Sequence, residues 1–170
     1  MEKLIPKPLS DEERFLREVY LVAEQSRDPR TKYGAIIIKD GDIISSGFNN
    51  FPRKVKDLES RYLDKELKRQ FVVHAEANAV HNCARKGMSC LGGVMYTQGL
   101  PCSECAKVII QGGISKVIIH NEWPHLNNID SWRKSNDLTL TMFKESGVVV
   151  EAVDIKLNLL GYLDGERISV

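Results

Sequence analysis

Apolar runs separated by polar, glycine- or proline-marked breaks divide the N-terminal third of the chain into one helix and two strands. Residues 10–13 form a capping box, a Ser followed three residues later by Glu, and predict a helix from there to about Gln25. Its apolar positions fall on one stripe, so this face is expected to pack inward, and Asp28-Pro29 ends it. The β-branched run within 33–39 predicts a buried strand, and the Asp40-Gly41 turn leads to a returning strand, Asp42–Phe48.

Helices and strands alternate further along the chain. The polar connection 49–70 is predicted as a loop, or a loop with a short helix, and connections of that length are usually functional. The pattern after it predicts helices over 74–86, 102–111 and 130–146, and strands over 93–98, 116–120 and 148–153. Strands that alternate with helices favour parallel neighbours covered on both faces, here beside an antiparallel hairpin.

The two ends of the chain lie outside this alternation. Residues 1–9, with Pro6 and Pro8, are predicted to form an extended arm. The tail, residues 154–170, contains apolar residues with no evident partner in its own domain, and we predict that it covers a subunit interface.

Length and charge narrow the classes of protein. A chain of 170 residues is expected to form a single domain, 1–170, with a core that needs no disulfides. The net charge of +1 argues against a nucleic-acid partner, which usually requires a basic face, but leaves room for a small anionic ligand. No apolar run has the length of a signal peptide or a membrane span, so we expect a soluble, cytoplasmic protein whose four cysteines are ligands or buried thiols.

Two short stretches contain the candidate chemistry. His74 with the Cys102 and Cys105 pair offers one imidazole and two thiolates, which is three zinc ligands with a fourth position open for water. Glu76 is close enough in sequence to move that water's proton. Pro101 suits a helix start, and the positive N-terminus of that helix favours thiolates. The pattern H-x-E…P-C-x-x-C is that of zinc nucleobase deaminases.

A structural zinc site, or core cysteines without metal, is the alternative interpretation. A structural site normally has four protein ligands, and the remaining candidates contain no second close pair. Those candidates are His81, Cys83, Cys90, His120 and His125. A second metal on His81, Cys83 and Cys90 stays open, although Cys83 lies on an apolar stripe and is predicted to be a buried thiol.

The chain resembles the deoxycytidylate deaminases of the zinc-dependent cytidine/deoxycytidylate deaminase superfamily over roughly residues 15–152. The likeness lies in seven stretches: SRDPRT at 26–31, KYGA at 32–35, GFN at 47–49, FPR at 51–53, ESRYLDKELK at 59–68, VVHAEANA at 72–79 and CAKVIIQGGI at 105–114. It implies an α/β fold, a three-layer α/β/α sandwich around a five-stranded mixed sheet. It also implies hydrolytic conversion of dCMP to dUMP and ammonia, with one catalytic Zn²⁺ per chain and with Glu76 transferring protons.

The resemblance also implies the substrate contacts. The backbone of Ala75 and the 102–105 turn would line the base pocket, and Asn49 would hydrogen-bond the sugar, although a turn role for Asn49 is the alternative. The phosphate would meet a matched group of residues, Ser26, Arg27, Arg30 and Thr31. Trp123 is predicted either to close over the nucleotide or to pack in a loop or interface.

Regulation and assembly follow from the same resemblance. Family members form homo-oligomers, with a hexamer as one form, and bind dCTP as activator and dTTP as inhibitor near the 47–54 loop. Asn50 and Lys54 stand here where glycines are expected. Glycine permits close approach of backbone to a ligand.

Other deaminase substrates remain alternatives to dCMP: a 5-substituted dCMP, a nucleoside or tRNA adenosine. A tRNA enzyme is expected to show a basic face, which the near-neutral charge does not indicate. A zinc-stabilised binding module without catalysis is the alternative from another class, and Glu76 argues against it, because a structural site has no need of that carboxylate.

Overall fold

The computed structural model describes residues 8–124 and 132–170, which fold around one five-stranded sheet. The helices of these residues are α1 Asp11–Ala23, α2 Glu59–Leu63, α3 Lys65–Phe71, α4 Ala75–Arg85, α5 Ser103–Gln111 and α6 Arg133–Ser146. Their strands are β1 Gly34–Lys39, β2 Asp42–Phe48, β3 Val94–Thr97, β4 Lys116–His120, β5 Val149–Val153, β6 Leu160–Leu163 and β7 Glu166–Ser169. No helix among the described residues is long and apolar enough to cross a membrane.

The strand order β2-β1-β3-β4-β5 makes a mixed sheet, as predicted. Strand β1 is antiparallel to β2 and to β3, whereas β3, β4 and β5 run parallel. The carboxyl ends of the three parallel strands therefore meet at one edge of the sheet, where ligand sites of α/β proteins commonly form.

Alternate residues of each central strand supply two separate cores, which makes the three layers. On one face, Ala35 and Ile37 of β1 pack with the inner sides of α4, α5 and α6. On the other face, Ile36 and Ile38 pack with α1 and with Trp123 and residues of the C-terminal segment. The β-branched run of β1 is thus buried on both sides, because helices or the C-terminal segment cover each face.

Most predicted boundaries are confirmed to within two residues, and the small differences lie at the ends of both helices and strands. Helix α1 ends at Ala23 rather than Gln25, because a turn follows in which the amide of Gln25 donates to the carbonyl of Val22. The polar connection 49–70 contains two short helices, α2 and α3, rather than one. The predicted arm, 1–9, lies outside the described residues up to position 7, and the predicted start of the last helix lies outside them at 130–131.

The prediction that residues 154–170 lack a partner in their own domain is wrong. They form the β6–β7 hairpin, and Leu157 in front of it is fully buried in the core beside Trp123. The amide of Lys32 donates to the carbonyl of Tyr162 at 3.0 Å, which ties the hairpin to the segment before β1. The sequence could not reveal this, because the apolar surface that the segment covers includes Trp123, from a loop with no apolar pattern. A place at a subunit interface stays a prediction.

His120, at the end of β4, is a fully buried histidine with both ring nitrogens engaged. Its Nε2 lies 2.7 Å from the carbonyl of Ile155, so Nε2 is the protonated nitrogen, and Nδ1 accepts from the hydroxyl of Tyr20 at 2.7 Å. Burial lowers the pKa of His120 below its ordinary value, although the Ile155 carbonyl and the charges of Glu122 and Asp154 oppose this.

This arrangement predicts a pH-dependent stability. Because the folded state holds His120 neutral, its contribution should be complete above the ordinary histidine pKa of about 6.5 and should be lost as the pH falls below it. Urea unfolding of the unaltered protein and of His120→Gln between pH 8 and pH 5 measures this. The difference in free energy of unfolding between the two should shrink at low pH, by no more than about 1.4 kcal/mol per pH unit. A difference that stays constant would contradict the prediction.

Candidate metal centre and cavity

The candidate metal ligands stand at the starts of two helices. His74 is the N-cap of α4, with an extended backbone, and Cys102 is the N-cap of α5, accepting from the amide of Cys105 at 3.5 Å. The predicted helices began at these two residues, but both lie just outside the helices they precede. Cap residues turn their side chains back towards the helix start.

Helix α4 packs closely on the sheet, and its first residues lie at the edge where the parallel strands end. A Cβ at Gly47 of β2 would lie only 2.3 Å from the carbonyl oxygen of Ala75 and from the amide nitrogen of Ala79, so only glycine permits this approach. The residue before the ligand, Val73, pairs with Asn50 through two backbone hydrogen bonds. The position of His74 is therefore determined from both sides.

The three ligand atoms fit a zinc ion. Nδ1 of His74 lies 3.4 Å from Sγ of Cys102 and 3.5 Å from Sγ of Cys105, and all three atoms lie within 4.8 Å of one another. Tetrahedral zinc with ordinary Zn–N and Zn–S bonds requires N···S separations of about 3.6 Å.

Within 8–124 and 132–170, no other three potential ligand side chains converge in this way. A second metal on His81, Cys83 and Cys90 therefore has no support from the geometry. Cys83 and Cys90 are instead buried thiols, and the Cys90 thiol donates to the carbonyl of Gly112 at 3.2 Å.

Hydrogen bonding within the cluster prepares it for a cation. The Cys105 thiol and the His74 ring both donate to the sulfur of Cys102 and lower the pKa of Cys102 to about 4. The hydrogen bond to Cys102 raises the pKa of His74 to about 9, and it also raises the pKa of Cys105. A metal bound to these three side chains would displace the protons that they share.

Glu76 is buried beside the ligands, with only 4% of its surface exposed. Its Oε2 lies 3.6 Å from Sγ of Cys105. Burial raises the pKa of Glu76, and the charge of His74 partly opposes this. His74 and Glu76 approach the same site although two helical residues point about 200° apart, because His74 lies outside the helix at its cap.

The cluster opens into a cavity of about 430 Å³, a size typical of small-molecule sites. Apolar residues and groups of both charges share its wall. The lining residues are Asp28, Arg30, Thr31, Tyr33, Asn49, Lys65, Lys68, Arg69, Val72, His74, Glu76, Gly99, Leu100, Cys102, Trp132, Asn136 and Asp164.

Of the four residues predicted to meet a phosphate, the structure brings Arg30 and Thr31 to this wall. Arg27 lies elsewhere: its guanidinium is 2.8 Å from the carboxylate of Asp57, and its side chain is 70% exposed. Ser26 is buried beneath the loop, where its hydroxyl donates to the carbonyl of Asn49 at 2.7 Å. The loop turns between Arg27 and Arg30. The two arginines of this motif therefore face different surroundings.

Asn49 lines the cavity and also holds its wall together. Its amide nitrogen donates to the carbonyl of Thr31 at 2.8 Å and to Asp28 at 3.3 Å, and its Oδ1 accepts from the amide of Tyr33 at 2.7 Å. Asn49 therefore has the structural role in the turn that was the alternative prediction, and it also lies on the cavity wall. Ala75 is fully buried behind the ligands and is not among the lining residues.

Trp123 lies in the core rather than on the cavity wall. It is fully buried and packs edge-to-face on Tyr33, with ring centroids 5.4 Å apart. Burial and the charge of Glu76 raise the pKa of Tyr33, and a hydrogen bond from Trp123 opposes this increase. Of the two roles predicted for Trp123, the structure therefore shows packing. Trp123 supports the lining residue Tyr33 and does not cover the cavity.

Several lining residues were missed by the sequence reasoning. The largest group is the cationic trio Lys65, Lys68 and Arg69 of α3. Their spacing of three and four residues places them on one helical stripe, and the polar connection that contains them was the available signal. Trp132, Asn136 and Asp164 come from distant parts of the chain and gave no local signal.

Comparisons with known proteins agree with this site. Residues 9–121 match the family described as the cytidine and deoxycytidylate deaminase zinc-binding region. A probable deoxycytidylate deaminase of Drosophila melanogaster is 42% identical over 115 residues, covering 61% of this chain but only 56% of that protein. The deoxycytidylate deaminase of Mus musculus is 33% identical over 144 residues, 80% of this chain and 75% of that protein. The crystal structure of the cyanophage S-TIM5 dCMP deaminase with dCMP and dUMP has a TM-score of 0.64 and 28% identity, covering 84% of this chain and 96% of that one.

The ligand assignment predicts the zinc content of cysteine variants. Cys102→Ala or Cys105→Ala should reduce bound zinc from about one per chain towards zero, because each removes one of only three protein ligands. Cys83→Ala, a buried cysteine outside the cluster, is the matched control and should keep its zinc. Elemental analysis of the purified proteins measures this, and full zinc in either ligand variant would show that the assignment is wrong.

Proposed function

Because the chain belongs to the cytidine and deoxycytidylate deaminase family, we propose that it converts dCMP and water to dUMP and ammonia. One observation above all supports this proposal: a buried Glu76 carboxyl lies directly beside a three-ligand metal cluster that opens into a cavity of nucleotide size. A structural zinc site has four protein ligands and no need of such a carboxyl.

His74, Cys102 and Cys105 would hold the metal. When bound, zinc supplies Lewis-acid activation of the water that replaces the exocyclic amine. Two of these ligands are helix N-caps, so the helix starts of α4 and α5 help to stabilise the negative charge of the thiolates.

Glu76 is the proposed proton carrier. It takes a proton from the attacking water, delivers it to ring N3 and later helps to protonate the leaving amine. A carboxyl must change its protonation state easily for this work. Burial favours the neutral form of Glu76 and the charge of His74 favours the ionised form, so the two influences oppose each other.

The wall beyond Glu76 is the proposed nucleotide subsite. Arg30 and Thr31 lie there as candidate phosphate contacts. Asn49 uses both amide hydrogens in the wall. Its Oδ1 accepts from the amide of Tyr33, and its second lone pair would accept from a sugar hydroxyl. The proposed base contacts are the backbone around Ala75 and the 102–105 turn.

Assembly, regulation and location belong to the same proposal. We propose a homo-oligomer, with dCTP and dTTP as candidate effectors, in the cytoplasm. Lys54 adopts a positive φ of 68°, the left-handed conformation that glycine favours. The backbone at this position therefore has a conformation that a glycine would also adopt. Asn50 accepts from the hydroxyl of Tyr62 at 3.0 Å and is thereby tied to α2.

A deaminase of 5-substituted dCMP is the second candidate, because methyl or hydroxymethyl groups change the substrate only near ring C5. An ammonia-release assay with dCMP, 5-methyl-dCMP, 5-hydroxymethyl-dCMP, deoxycytidine, dCTP and adenosine distinguishes these reactions from nucleoside and adenosine deamination.

The role of Glu76 predicts that Glu76→Gln keeps zinc and fold but loses turnover. Glutamine preserves the shape and cannot transfer the proton, so kcat should fall at least ~10²-fold. The measurements are kcat for dCMP and zinc per chain on the same sample. Near-normal turnover in a zinc-replete variant would be incompatible with the mechanism.

The charged wall predicts that substrate choice depends on the phosphate. Deoxycytidine should react with a kcat/KM at least about tenfold below that of dCMP, because a neutral nucleoside cannot use charge-assisted hydrogen bonds. Arg30→Ala should narrow this difference, mainly by weakening dCMP. Arg27→Ala is the matched control, since its guanidinium pairs with Asp57 away from the cavity, and should leave the difference unchanged. Equal kcat/KM for both substrates in the unaltered protein would favour a nucleoside deaminase.

A further inference from the structure

Helix α3 presents an unusual stripe to the cavity. The lining residues Lys65, Lys68, Arg69 and Val72 follow the i, i+3, i+4, i+7 spacing of a single helical stripe. The inward stripe of a helix is ordinarily apolar. Three of these four positions are cationic instead, and none of the residues of α3 is buried. The helix is therefore placed to meet a polar occupant of the cavity rather than to fill the core.

Lys68 has a partner within the protein and holds the helix in place. Its ammonium lies 2.6 Å from the carboxylate of Asp28, which is 1% exposed. The same carboxylate accepts from the amides of Arg30 and Thr31 at 2.9 and 3.2 Å. This buried pair fixes α3 against the loop that contains Arg30, so cations from two separate segments are held around one cavity.

Lys65 and Arg69 lack such a partner among residues 8–124 and 132–170. No carboxylate of that part of the chain lies within 4.0 Å of the Lys65 ammonium, and the same holds for the Arg30 guanidinium. Arg69 approaches Glu66 only at 4.0 Å, with both side chains largely exposed. Such a surface contact contributes little. Asp164 also lines the cavity, and it is not within ion-pair distance of any of these three cations.

We propose that Lys65 and Arg69 of α3, together with Arg30, bind the 5′-phosphate of the nucleotide, so that α3 is the element that distinguishes nucleotides from nucleosides. This inference rests on the proposed function. Neighbouring cations on one helical stripe repel each other when nothing lies between them and the solvent. A phosphate dianion relieves that repulsion and accepts charge-assisted hydrogen bonds from both residues, with the arginine able to donate two.

Single charge-removing variants test the assignment. Lys65→Gln and Arg69→Gln should each lower kcat/KM for dCMP about tenfold, chiefly through a higher KM, and the double variant should lower it about 100-fold. The kcat/KM for deoxycytidine should stay within about twofold, since that substrate has no phosphate. Lys86→Gln is the matched control: it removes an exposed positive charge at the C-cap of α4 and should leave both substrates unaffected.

Charge-conserving variants keep the test falsifiable if a glutamine variant folds poorly. Lys65→Arg and Arg69→Lys should retain most of the preference for dCMP over deoxycytidine, while zinc content and melting temperature are measured on every sample. If the double glutamine variant keeps its full kcat/KM for dCMP, or loses both substrates by the same factor, α3 does not bind the phosphate.

The failure of this inference differs from the failure of the proposed function. If α3 is wrongly assigned, the unaltered protein still prefers dCMP and the double variant keeps that preference. If the unaltered protein deaminates neither dCMP nor deoxycytidine, or both with equal kcat/KM, the proposed function itself is overturned. Direct binding of dUMP and deoxyuridine to the Glu76→Gln variant, by calorimetry, compares phosphate recognition without turnover. Replacing Lys65 and Arg69 by Gln in that background should weaken dUMP binding about 100-fold and leave deoxyuridine unchanged.

Discussion

The convergence of two helix starts on one edge of the sheet is the constraint on which the site depends. Helices α4 and α5 both begin there, and each places a metal ligand, His74 or Cys102, at its N-cap. The cap position supplies side chains that turn back over the helix end, and the partial positive charge of that end stabilises thiolates. A shift of either helix along its axis would separate the imidazole from the sulfurs. Gly47, which lets α4 approach β2 closely, therefore helps to determine where His74 lies.

The carboxylate of Asp28 is a second organising group, and it also lines the cavity. It is almost completely buried and accepts from the amides of Arg30 and Thr31, from Asn49 and from Lys68. A buried charge is tolerated only when it is paired and hydrogen-bonded, and this carboxylate is both. Its partners belong to three segments that lie far apart in the chain. Helix starts thus position the metal ligands, whereas a single anion holds together the loop and helix residues of the cavity wall.

The sequence could predict those site residues whose positions depend on nearby residues in the chain. It could not predict those whose positions depend on residues far away in the chain. The convergence of the three candidate ligands with Glu76 could be predicted, because two short motifs contain them and both lie at helix starts. Arg27 and Arg30 could not be told apart, because Asp57, thirty residues from Arg27, pairs with one of them. Trp123 was placed correctly only as an alternative, since its neighbours Tyr20 and Tyr33 come from other elements. Strands and helices followed local patterns closely, and the hairpin β6–β7 did not, because its partner surface is assembled from several segments.

That hairpin also bears on the order in which the molecule can be assembled. The amide of Asp164 donates to the hydroxyl of Thr31, which is 133 residues earlier, and the amide of Gly165 donates to the carbonyl of Arg30. The candidate metal ligands all lie between positions 74 and 105, so none of them depends on the last segment of the chain for its synthesis. The wall at Arg30 does depend on that segment, because contacts between distant residues form only after both have been made and their loop has closed. During synthesis, the chain therefore contains all three candidate metal ligands well before it contains the residues that complete the cavity wall.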